Sequence, residues 1–274
     1  MGRLTGRVAW VTGSSRGIGR VVADHLASLG ANVVIHGTTP TSTQQLGEGD
    51  SLAALADEIA QAHNTEVLPV HGDLTDEAVV AGNVADIRER FGKIDILINN
   101  AGGDIGSKGV TAENAGKPVQ NDAIHIPLEE VDTIINRNLR TCILVTRAVV
   151  PEMMERNEGW VVTVGSIAGL SGHSSEVSYS VSKAAVHEYT KCLAAQLRPN
   201  GVYANVIAPG EIITPRFEAS RPTRDDRKVD QGPLTRYGWP IEVAKAIEFL
   251  VTSDSSYITG QVLRVDGGAQ LWPA

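Results

Sequence analysis

The stretch VAWVTGSSRGIGRVVADHLASLG, residues 8–30, decides the fold of this chain. Its first four residues are apolar and β-rich, which predicts a buried strand. The glycine-rich segment TGSSRGIG follows at 12–19, and an amphipathic run then ends at Gly30, a fitting helix C-cap. Strand, glycine turn and helix in this order present free backbone N–H groups that can bind a pyrophosphate. The spacing Gly-x3-Gly-x-Gly differs from the usual G-x-G-x-x-G fingerprint, so the turn alone is weak evidence.

A second motif, Ser-x12-Tyr-x3-Lys, lies at Ser166, Tyr179 and Lys183. The four-residue step from Tyr179 to Lys183 puts both side chains on one face of a helix. An ammonium near the phenol is expected to lower its pKa, so that the phenol can exchange a proton with an alcohol or ketone oxygen. Ser166 can hold the same oxygen. An isolated Tyr-x3-Lys would be an ordinary helix surface, but beside a nucleotide-binding turn it predicts carbonyl–alcohol chemistry.

Helix and strand patterns alternate along the whole chain, which predicts an α/β doubly wound parallel sheet with helices on both faces. We find no internal repeat or linker, so residues 1–274 are expected to form one domain. A long loop at 37–50 and an insertion at 103–127 interrupt the alternation, as functional or mobile loops do. Strands are predicted at 8–12, 32–36, 66–71, 94–98, 159–165, 202–207 and 262–265, and helices near 17–29, 51–62, 76–91, 128–156, 177–198 and 240–252.

Composition excludes several classes of function. The formal net charge of −8 and the lack of a basic run argue against nucleic-acid binding. The sequence has no signal-peptide core and no 18-residue apolar span, so we expect no membrane partner and a reduced, cytoplasmic location. Its two cysteines and seven histidines are scattered without metal-ligand spacing, so no metal site is predicted.

These motifs together resemble the short-chain dehydrogenase/reductase family, over about residues 4–268. The resemblance rests on TGSSRGIG at 12–19, GDL at 72–74, NNAG at 99–102, PG at 209–210 and VDGG at 265–268, besides the Ser/Tyr/Lys set. The whole pattern is most similar to 3-oxoacyl-acyl-carrier-protein reductases. It implies a Rossmann-type single domain with a substrate lid at about 210–235.

The resemblance also implies a role for each matching position. Tyr179 is then the general acid in reduction, Lys183 also binds the nicotinamide ribose, Ser166 polarises the carbonyl, and Asn138 holds a relay water near Lys183. The implied cofactor-binding residues, besides Tyr179 and Lys183, are Gly13, Ser15, Arg16, Gly17, Ile18, Gly19, Gly37, Thr38, Asp73, Leu74, Asn100, Ala101, Gly102, Pro209, Gly210, Ile212 and Thr214.

The end of the second strand predicts the choice of cofactor. Enzymes that use NAD usually place an acid there for the ribose 2′-hydroxyl, and that acid repels a 2′-phosphate. Here Gly37 or Thr38 stands at this position, and Arg16 in the glycine turn could pair with a phosphate. NADP(H) is therefore the expected cofactor, with NAD(H) possible if Arg16 is merely a solvated loop residue.

The predicted function is NADP(H)-dependent interconversion of a ketone and a secondary alcohol, with a small molecule as substrate. A 3-oxoacyl substrate follows from the resemblance, whereas Glu176 and Glu211 near the expected pocket suit a polyol, sugar or amine-bearing ketone at least as well. A sugar, polyol or cyclic-ketone dehydrogenase of the same family is therefore the alternative. A non-catalytic dinucleotide sensor is the alternative of another class, although such proteins usually lose the Tyr or the Lys. The family implies a homotetramer, and the apolar stripe Ile134, Ile135, Leu139, Ile143 and Val145 is expected at one interface.

Overall fold

The structure, a computed structural model, describes residues 2–272 and is built around a seven-stranded parallel sheet. The strand order is β3-β2-β1-β4-β5-β6-β7, and the predicted doubly wound sheet is confirmed. The strands are β1 (Val8–Val11), β2 (Asn32–Gly37), β3 (Val67–His71), β4 (Ile96–Asn99), β5 (Gly159–Val164), β6 (Val202–Pro209) and β7 (Val262–Val265).

Eight α-helices accompany the sheet in the described residues. Helices α1, α2 and α8 pack on one face, and α3, α5 and α6 pack on the other. The helices are α1 (Gly17–Ser28), α2 (Leu52–His63), α3 (Glu77–Phe91), α4 (Leu128–Ile135), α5 (Thr141–Arg156), α6 (Val177–Leu197), α7 (Pro215–Ser220) and α8 (Pro240–Leu250).

Burial on both faces explains why the strands read as continuous apolar runs. In β1, Ala9 and Val11 enter the core with α1 and α8, whereas Val8 and Trp10 point to the opposite layer. Successive side chains of a strand alternate between faces, so a central strand covered on both sides requires apolar residues at every position. The sheet is therefore held by two cores of comparable extent.

The strand order places the functional cleft. After β3 the chain crosses back to the other side of β1, so that β1 lies between β2 and β4. Helices that leave neighbouring strands in opposite directions open a crevice at the carboxyl ends of the strands. The glycine turn after β1 and the segments after β4, β5 and β6 all lie at this edge.

The predicted strands and most of the predicted helices agree with the structure to within two residues. The segment predicted as one helix at 128–156 is α4 and α5 joined by a π-helical turn, Asn136–Arg140. The loop at 37–50 contains a short 3₁₀ turn, Ser42–Leu46, and the loop at 103–127 contains a turn at Glu113–Gly116 in which Asn114 and Ala115 have left-handed backbone angles. No helix in the described part of the chain is long and apolar enough to cross a membrane.

The apolar stripe predicted for an interface is only partly available at the surface. Ile134 and Val145 are completely buried within the chain itself. Ile135, Leu139 and Ile143 are half-buried. The prediction was wrong for Ile134 and Val145, because both side chains are taken up by the interior of this chain, Val145 in the core layer beneath α5, and are not free for an interface.

Candidate active site

A cavity of about 780 Å³ opens at the carboxyl ends of the strands, on both sides of the β1–β4 switch point. Every residue predicted to be catalytic or to bind cofactor lines it, except Asn138. The volume lies within the range of cofactor and substrate pockets. The cavity therefore has the size and position that a dinucleotide and a small substrate require.

Tyr179 and Lys183 lie on the first turns of α6 and face the cavity together. The Lys183 Nζ donates a 2.8 Å hydrogen bond to the Val164 carbonyl, at the end of β5. The same Nζ is 5.7 Å from the centre of the Tyr179 ring. The contact with β5 fixes the ammonium between the sheet and the phenol.

The electrostatics of this pair differ from the sequence-based expectation. Burial raises the pKa of the Tyr179 phenol above its ordinary value, and the neighbouring Ser166 hydroxyl and Arg216 guanidinium only partly oppose this. Burial also lowers the pKa of Lys183 to about 8. The net change in the pKa of Tyr179 is opposite to the expected one, because loss of solvent is the largest effect on both groups. That Lys183 itself lowers the pKa of the phenol stays a prediction.

Ser166 follows β5 and is held by a histidine that the sequence did not single out. Its amide donates to His187 Nε2 at 3.3 Å, and its hydroxyl accepts from the Ala168 amide at 3.1 Å. Burial lowers the pKa of His187 to about 4, so the ring is neutral near pH 7 and can accept this bond. His187 is four residues after Lys183 and therefore lies on the same face of α6. This spacing is the feature of the sequence that could have indicated its place at the site.

Asn138 lies in the π-helical turn and forms hydrogen bonds with the loop after β4, without lining the cavity itself. Its Oδ1 accepts from the Gly103 amide at 2.9 Å, and its Nδ2 donates to the Gly103 and Ile134 carbonyls at 3.1 and 2.8 Å. A Cβ on Gly102 would lie 2.4 Å from Asn138 Oδ1, so only glycine fits there. Asn138 thus supports the cavity wall next to Lys183, and its relay role stays a prediction.

The glycine turn is held by His36, which the sequence analysis also missed. Gly13 has a φ of 62°, a conformation that favours glycine. Its amide donates to His36 Nδ1 at 3.1 Å, and the other ring nitrogen lies 3.0 Å from the Gly72 carbonyl. Burial lowers the pKa of His36 to about 4, so a neutral ring can accept on one side and donate on the other.

The loop after β4 meets the same turn through hydroxyl and amide groups. Thr12 Oγ1 accepts from the amides of Asn100 and Ala101, both at 3.0 Å. The Asn100 side chain donates to the Thr12 and Gly13 carbonyls, both at 2.9 Å. The NNAG segment therefore joins the two sides of the switch point.

Gly37 ends β2, at the position where enzymes that use NAD usually carry an Asp or Glu. A Cβ at this position would lie 2.9 Å from Ser42 Cβ and 3.1 Å from both Leu52 Cδ1 and Ser15 Cβ. Such contacts force a neighbouring side chain to move. The structure around Gly37 therefore leaves no room for the side chain of an acid.

The loop at 37–50 brings a different acid, Glu48, to the glycine turn. Glu48 Oε2 accepts a 2.7 Å hydrogen bond from the Gly17 amide at the start of α1. Arg16 donates to Gln45 Oε1 at 2.6 Å and to the Ser42 carbonyl at 3.3 Å. The loop therefore folds over the glycine turn and engages the arginine that the sequence assigned to a phosphate.

The two long loops meet each other beside the cavity. Leu46 from the first loop packs against a small apolar cluster of the second, formed by Ile105, Val110 and Ala115. The second loop also lines the substrate side of the cavity with Asp104 and Ile105. Both insertions thus shape the entrance to the same site.

Comparison with known proteins agrees with this architecture. A family model described as enoyl-(acyl carrier protein) reductase matches residues 13–270. The chain is 34% identical over 268 residues to the 3-oxoacyl-[acyl-carrier-protein] reductase of Aquifex aeolicus, covering 97% of this chain and 98% of the relative. It is 37% identical over 274 residues to the cyclohexanol dehydrogenase of Rhodococcus sp. (strain TK6), covering 97% and 96%.

A solved structure of 7α-hydroxysteroid dehydrogenase, complexed with NADH and 7-oxo glycochenodeoxycholic acid, superposes with a TM-score of 0.82. The identity is 28%, and the match covers 97% of this chain and 95% of that one. Since the likeness extends over the whole sheet and the cleft, the protein is an oxidoreductase that interconverts CH–OH and C=O groups with a nicotinamide dinucleotide. The chain belongs to the short-chain dehydrogenase/reductase family.

Proposed function

We propose that the protein is an NADP(H)-dependent reductase of ketones, and in reverse a dehydrogenase of secondary alcohols, with Tyr179 as proton donor and acceptor. The observation that carries the proposal is the meeting of Ser166, Tyr179 and Lys183 in the cavity that the glycine turn also lines. None of these residue types is informative alone. Their meeting at the switch point of the sheet provides proton transfer beside a dinucleotide cleft.

The proposed chemistry follows from the positions of the side chains. The nicotinamide supplies the hydride in reduction and accepts it in oxidation. Tyr179 gives its hydroxyl proton to the carbonyl oxygen, and a buried phenol of raised pKa is fully protonated near neutral pH, as a donor must be. Ser166 hydrogen-bonds the same oxygen, and Lys183 stabilises the phenolate that remains. Asn138 supports this arrangement by holding the loop beside Lys183.

NADP(H) is proposed as the preferred cofactor, with NAD(H) as the alternative. Arg16 in the glycine turn and Thr38 after β2 both line the cavity, and an arginine can bind a 2′-phosphate through two hydrogen bonds. Because Gly37 has no room for a side chain, no acid can stand there to repel a 2′-phosphate, and this also favours NADP(H). Glu48 counts against it, because a carboxylate near the turn disfavours added negative charge.

Two substrate classes are supported by different observations. The A. aeolicus relative favours a 3-oxoacyl substrate. The charged side chains that line the cavity beyond Tyr179, namely Asp104, Glu176, Arg216 and Arg221, favour a sugar, polyol or other polar ketone instead. A cyclic ketone is supported by the Rhodococcus relative.

A turnover screen tests the proposal. NAD(P)H oxidation and NAD(P)⁺ reduction would be followed with 3-oxoacyl esters, cyclic ketones and sugar alcohols, each with both cofactors. We expect turnover of at least one class, faster with NADP(H), and its loss in the Tyr179→Phe variant. Tight cofactor binding without turnover of any carbonyl or alcohol would contradict the proposal and favour a dinucleotide sensor.

We further propose that residues 1–274 form one domain that works in the cytoplasm. Elements from both halves of the chain contribute to one sheet, and the proposed substrate lid at 210–235 contains α7, from which Arg216, Phe217 and Ser220 line the cavity. Cys142 and Cys192 are both free thiols, as a reducing compartment allows. Limited proteolysis that released a separately folded half would contradict the single domain.

A homotetramer is the proposed assembly. Ile241, Phe249 and Leu263 expose 37–39% of their surface on α8 and β7, although they are large and apolar. Strand β7 is also an edge of the sheet, with unpaired backbone groups on one side. Val181 on α6 and Leu128 on α4 are also large, exposed apolar side chains, which a second two-fold interface would cover.

A further inference from the structure

Asp104 is a buried carboxyl group in the cavity wall beyond Tyr179. It is 4% exposed, and its Oδ1 accepts a 3.0 Å hydrogen bond from Asn121 Nδ2. Its Oδ2 is buried and has no hydrogen-bond partner among the described residues. Burial raises the pKa of Asp104 to about 6, so the group is mostly ionised at neutral pH. A buried carboxylate oxygen at the wall of a cavity is suited to accept a hydrogen bond from a ligand.

Asn121 fixes Asp104 relative to the catalytic helix. The Asn121 Oδ1 accepts from both the amide and the hydroxyl of Ser178, at 3.0 and 2.9 Å. Its carbonyl accepts from the Val177 amide at 3.1 Å. Ser178 directly precedes Tyr179, so hydrogen bonds through Asn121 link the Asp104 carboxyl group to the helical turn that carries the phenol. This rigidity is typical of a side chain that positions a substrate.

Arg216 reaches the same part of the cavity from α7. Its Nη2 donates to the Asp104 carbonyl at 2.5 Å, whereas its Nε is buried without a partner among the residues described. The charge of Arg216 is close enough to Tyr179 to favour the phenolate. Arg216 Nε and Asp104 Oδ2 are therefore both buried without a partner among the described residues, in side chains that line the cavity close enough to influence Tyr179.

The other acid of this region is already matched by cations. Glu176 pairs with Lys117, and the Arg221 Nη2 lies 3.7 Å from the same carboxylate oxygen. Two acids, Asp104 and Glu176, thus face three cations, Lys117, Arg216 and Arg221. These five side chains carry a net charge of +1, and a region of low dielectric strengthens the attraction of this charge for an anion.

We propose that Arg216 and Asp104 form a subsite that selects substrates with a carboxylate and a free hydroxyl close to the reacting carbon. The N–H groups of Arg216 bind the carboxylate, and Asp104 Oδ2 accepts from the hydroxyl. The substrate class is that of polyhydroxylated carboxylic acids and their keto forms. This inference rests on the proposed function and narrows it, because a long acyl chain would leave both polar groups without partners.

The chemistry of the step is unchanged by this choice. In oxidation Tyr179 would have to be the phenolate to accept the hydroxyl proton, while a bound nicotinamide would take the hydride from the carbinol carbon. The carboxylate and the second hydroxyl take no part in bond breaking. Arg216 and Asp104 are therefore specificity residues, and their effect should appear in KM and in the comparison between substrates.

Matched substrates test the inference. Aldonic acids of four to six carbons would be compared with the alditols of the same length, which carry CH₂OH in place of the carboxylate. We expect kcat/KM of the wild type to favour the acid by at least about tenfold, the usual effect of a charged hydrogen bond. In Arg216→Gln that preference should vanish through a rise in KM for the acid, and Arg216→Lys should retain part of it.

The controls separate the subsite from general damage. Arg224→Gln removes an arginine of the same lid that pairs with Asp226 at the surface, and should leave the preference intact. Asp104→Asn should raise KM for acid and alditol alike, because both carry the hydroxyl, whereas exposed Asp230→Asn should not. Cofactor affinity, measured for each variant, reports whether the site is folded.

Equal turnover of acid and alditol by the wild type would overturn the inference, and so would an unchanged acid preference in Arg216→Gln. Turnover of uncharged ketones alone would also overturn it while leaving the proposed oxidoreductase function in place. A complete lack of turnover with bound cofactor would instead contradict the proposed function itself.

Discussion

The amide of Gly17 donates a 2.7 Å hydrogen bond to the carboxylate of Glu48. Gly17 is the first residue of α1, where free backbone N–H groups and the helix dipole attract an anion. The carboxylate therefore stands where a phosphate group of a dinucleotide would gain the same interaction. Glu48 lies in a loop that follows β2, and nothing in its sequence context indicates this contact.

Glu48 is expected to weaken cofactor binding by competition and repulsion. Glu48→Gln removes the charge and keeps the size, so the dissociation constant for NADPH should fall about two- to fivefold, the scale of one charge at a helix end. Fluorescence titration of the cofactor measures this. Glu58→Gln, which removes an exposed acid paired with Arg20, is the control and should change nothing. An unchanged or weaker affinity in Glu48→Gln would show that the carboxylate does not compete.

Arg16 is expected to determine the preference between the two cofactors. Arg16→Ala should raise the dissociation constant for NADPH at least about tenfold and that for NADH much less, because only NADPH offers a 2′-phosphate. Both constants can be measured in one titration series, with exposed Arg90→Ala as control. Gly37→Asp would be a poor test, since the side chain has no room. A wild type that already prefers NADH would refute the proposed preference.

Tyr179→Phe removes the proton donor and keeps the ring. Turnover should fall by at least about 10²-fold, the usual scale of lost acid–base catalysis, while the affinity for cofactor stays within about twofold. Steady-state rates and cofactor titration separate the two effects. The neighbouring Tyr189→Phe, on the same helix, serves as control. Near-normal turnover in Tyr179→Phe would eliminate Tyr179 as the acid.

His187 predicts a pH dependence of stability. Its pKa is about 4 in the folded protein and about 6.5 in an unfolded chain, so between these values the unfolded chain binds more protons. The free energy of unfolding should therefore fall as the pH drops from 6.5 to 4. His36 acts in the same direction, and Asp104, with its raised pKa, acts in the opposite one.

Denaturant unfolding at several pH values between 4 and 6.5 measures this slope. In His187→Asn the slope should be smaller by up to about 1.4 kcal/mol per pH unit, which corresponds to one proton. His173→Asn in an exposed loop should leave it unchanged. An identical slope in wild type and His187→Asn would contradict the proposed neutral, buried ring.

The assembly can be tested by light scattering. At micromolar concentration we expect a mass of four chains of 29.1 kDa each. Phe249→Asp places a charge in the exposed apolar surface of α8 and should reduce the mass to that of a dimer, whereas Lys245→Ala on the same helix should not. A wild-type mass of one chain would rule out the tetramer.

The sequence by itself determined the sheet and its strands, and it predicted most of the residues that line the cavity. Local patterns were sufficient for this, because buried parallel strands such as β1 require apolar residues at every position. The glycine turn and the Tyr179–Lys183 pair are also local, since each depends on residues a few positions apart. Right-handed crossovers then leave few arrangements of the strands.

Only the tertiary structure decided which distant groups meet at the site. Glu48 reaches Gly17, His187 reaches Ser166, and Asp104 meets Arg216 across 112 residues of sequence. The direction of the pKa change at Tyr179 is also decided only by the tertiary structure, because it depends on how much solvent the surrounding chain removes. Contacts between loops depend on the path of the whole backbone and leave no periodic pattern in the sequence. No local motif therefore predicts them.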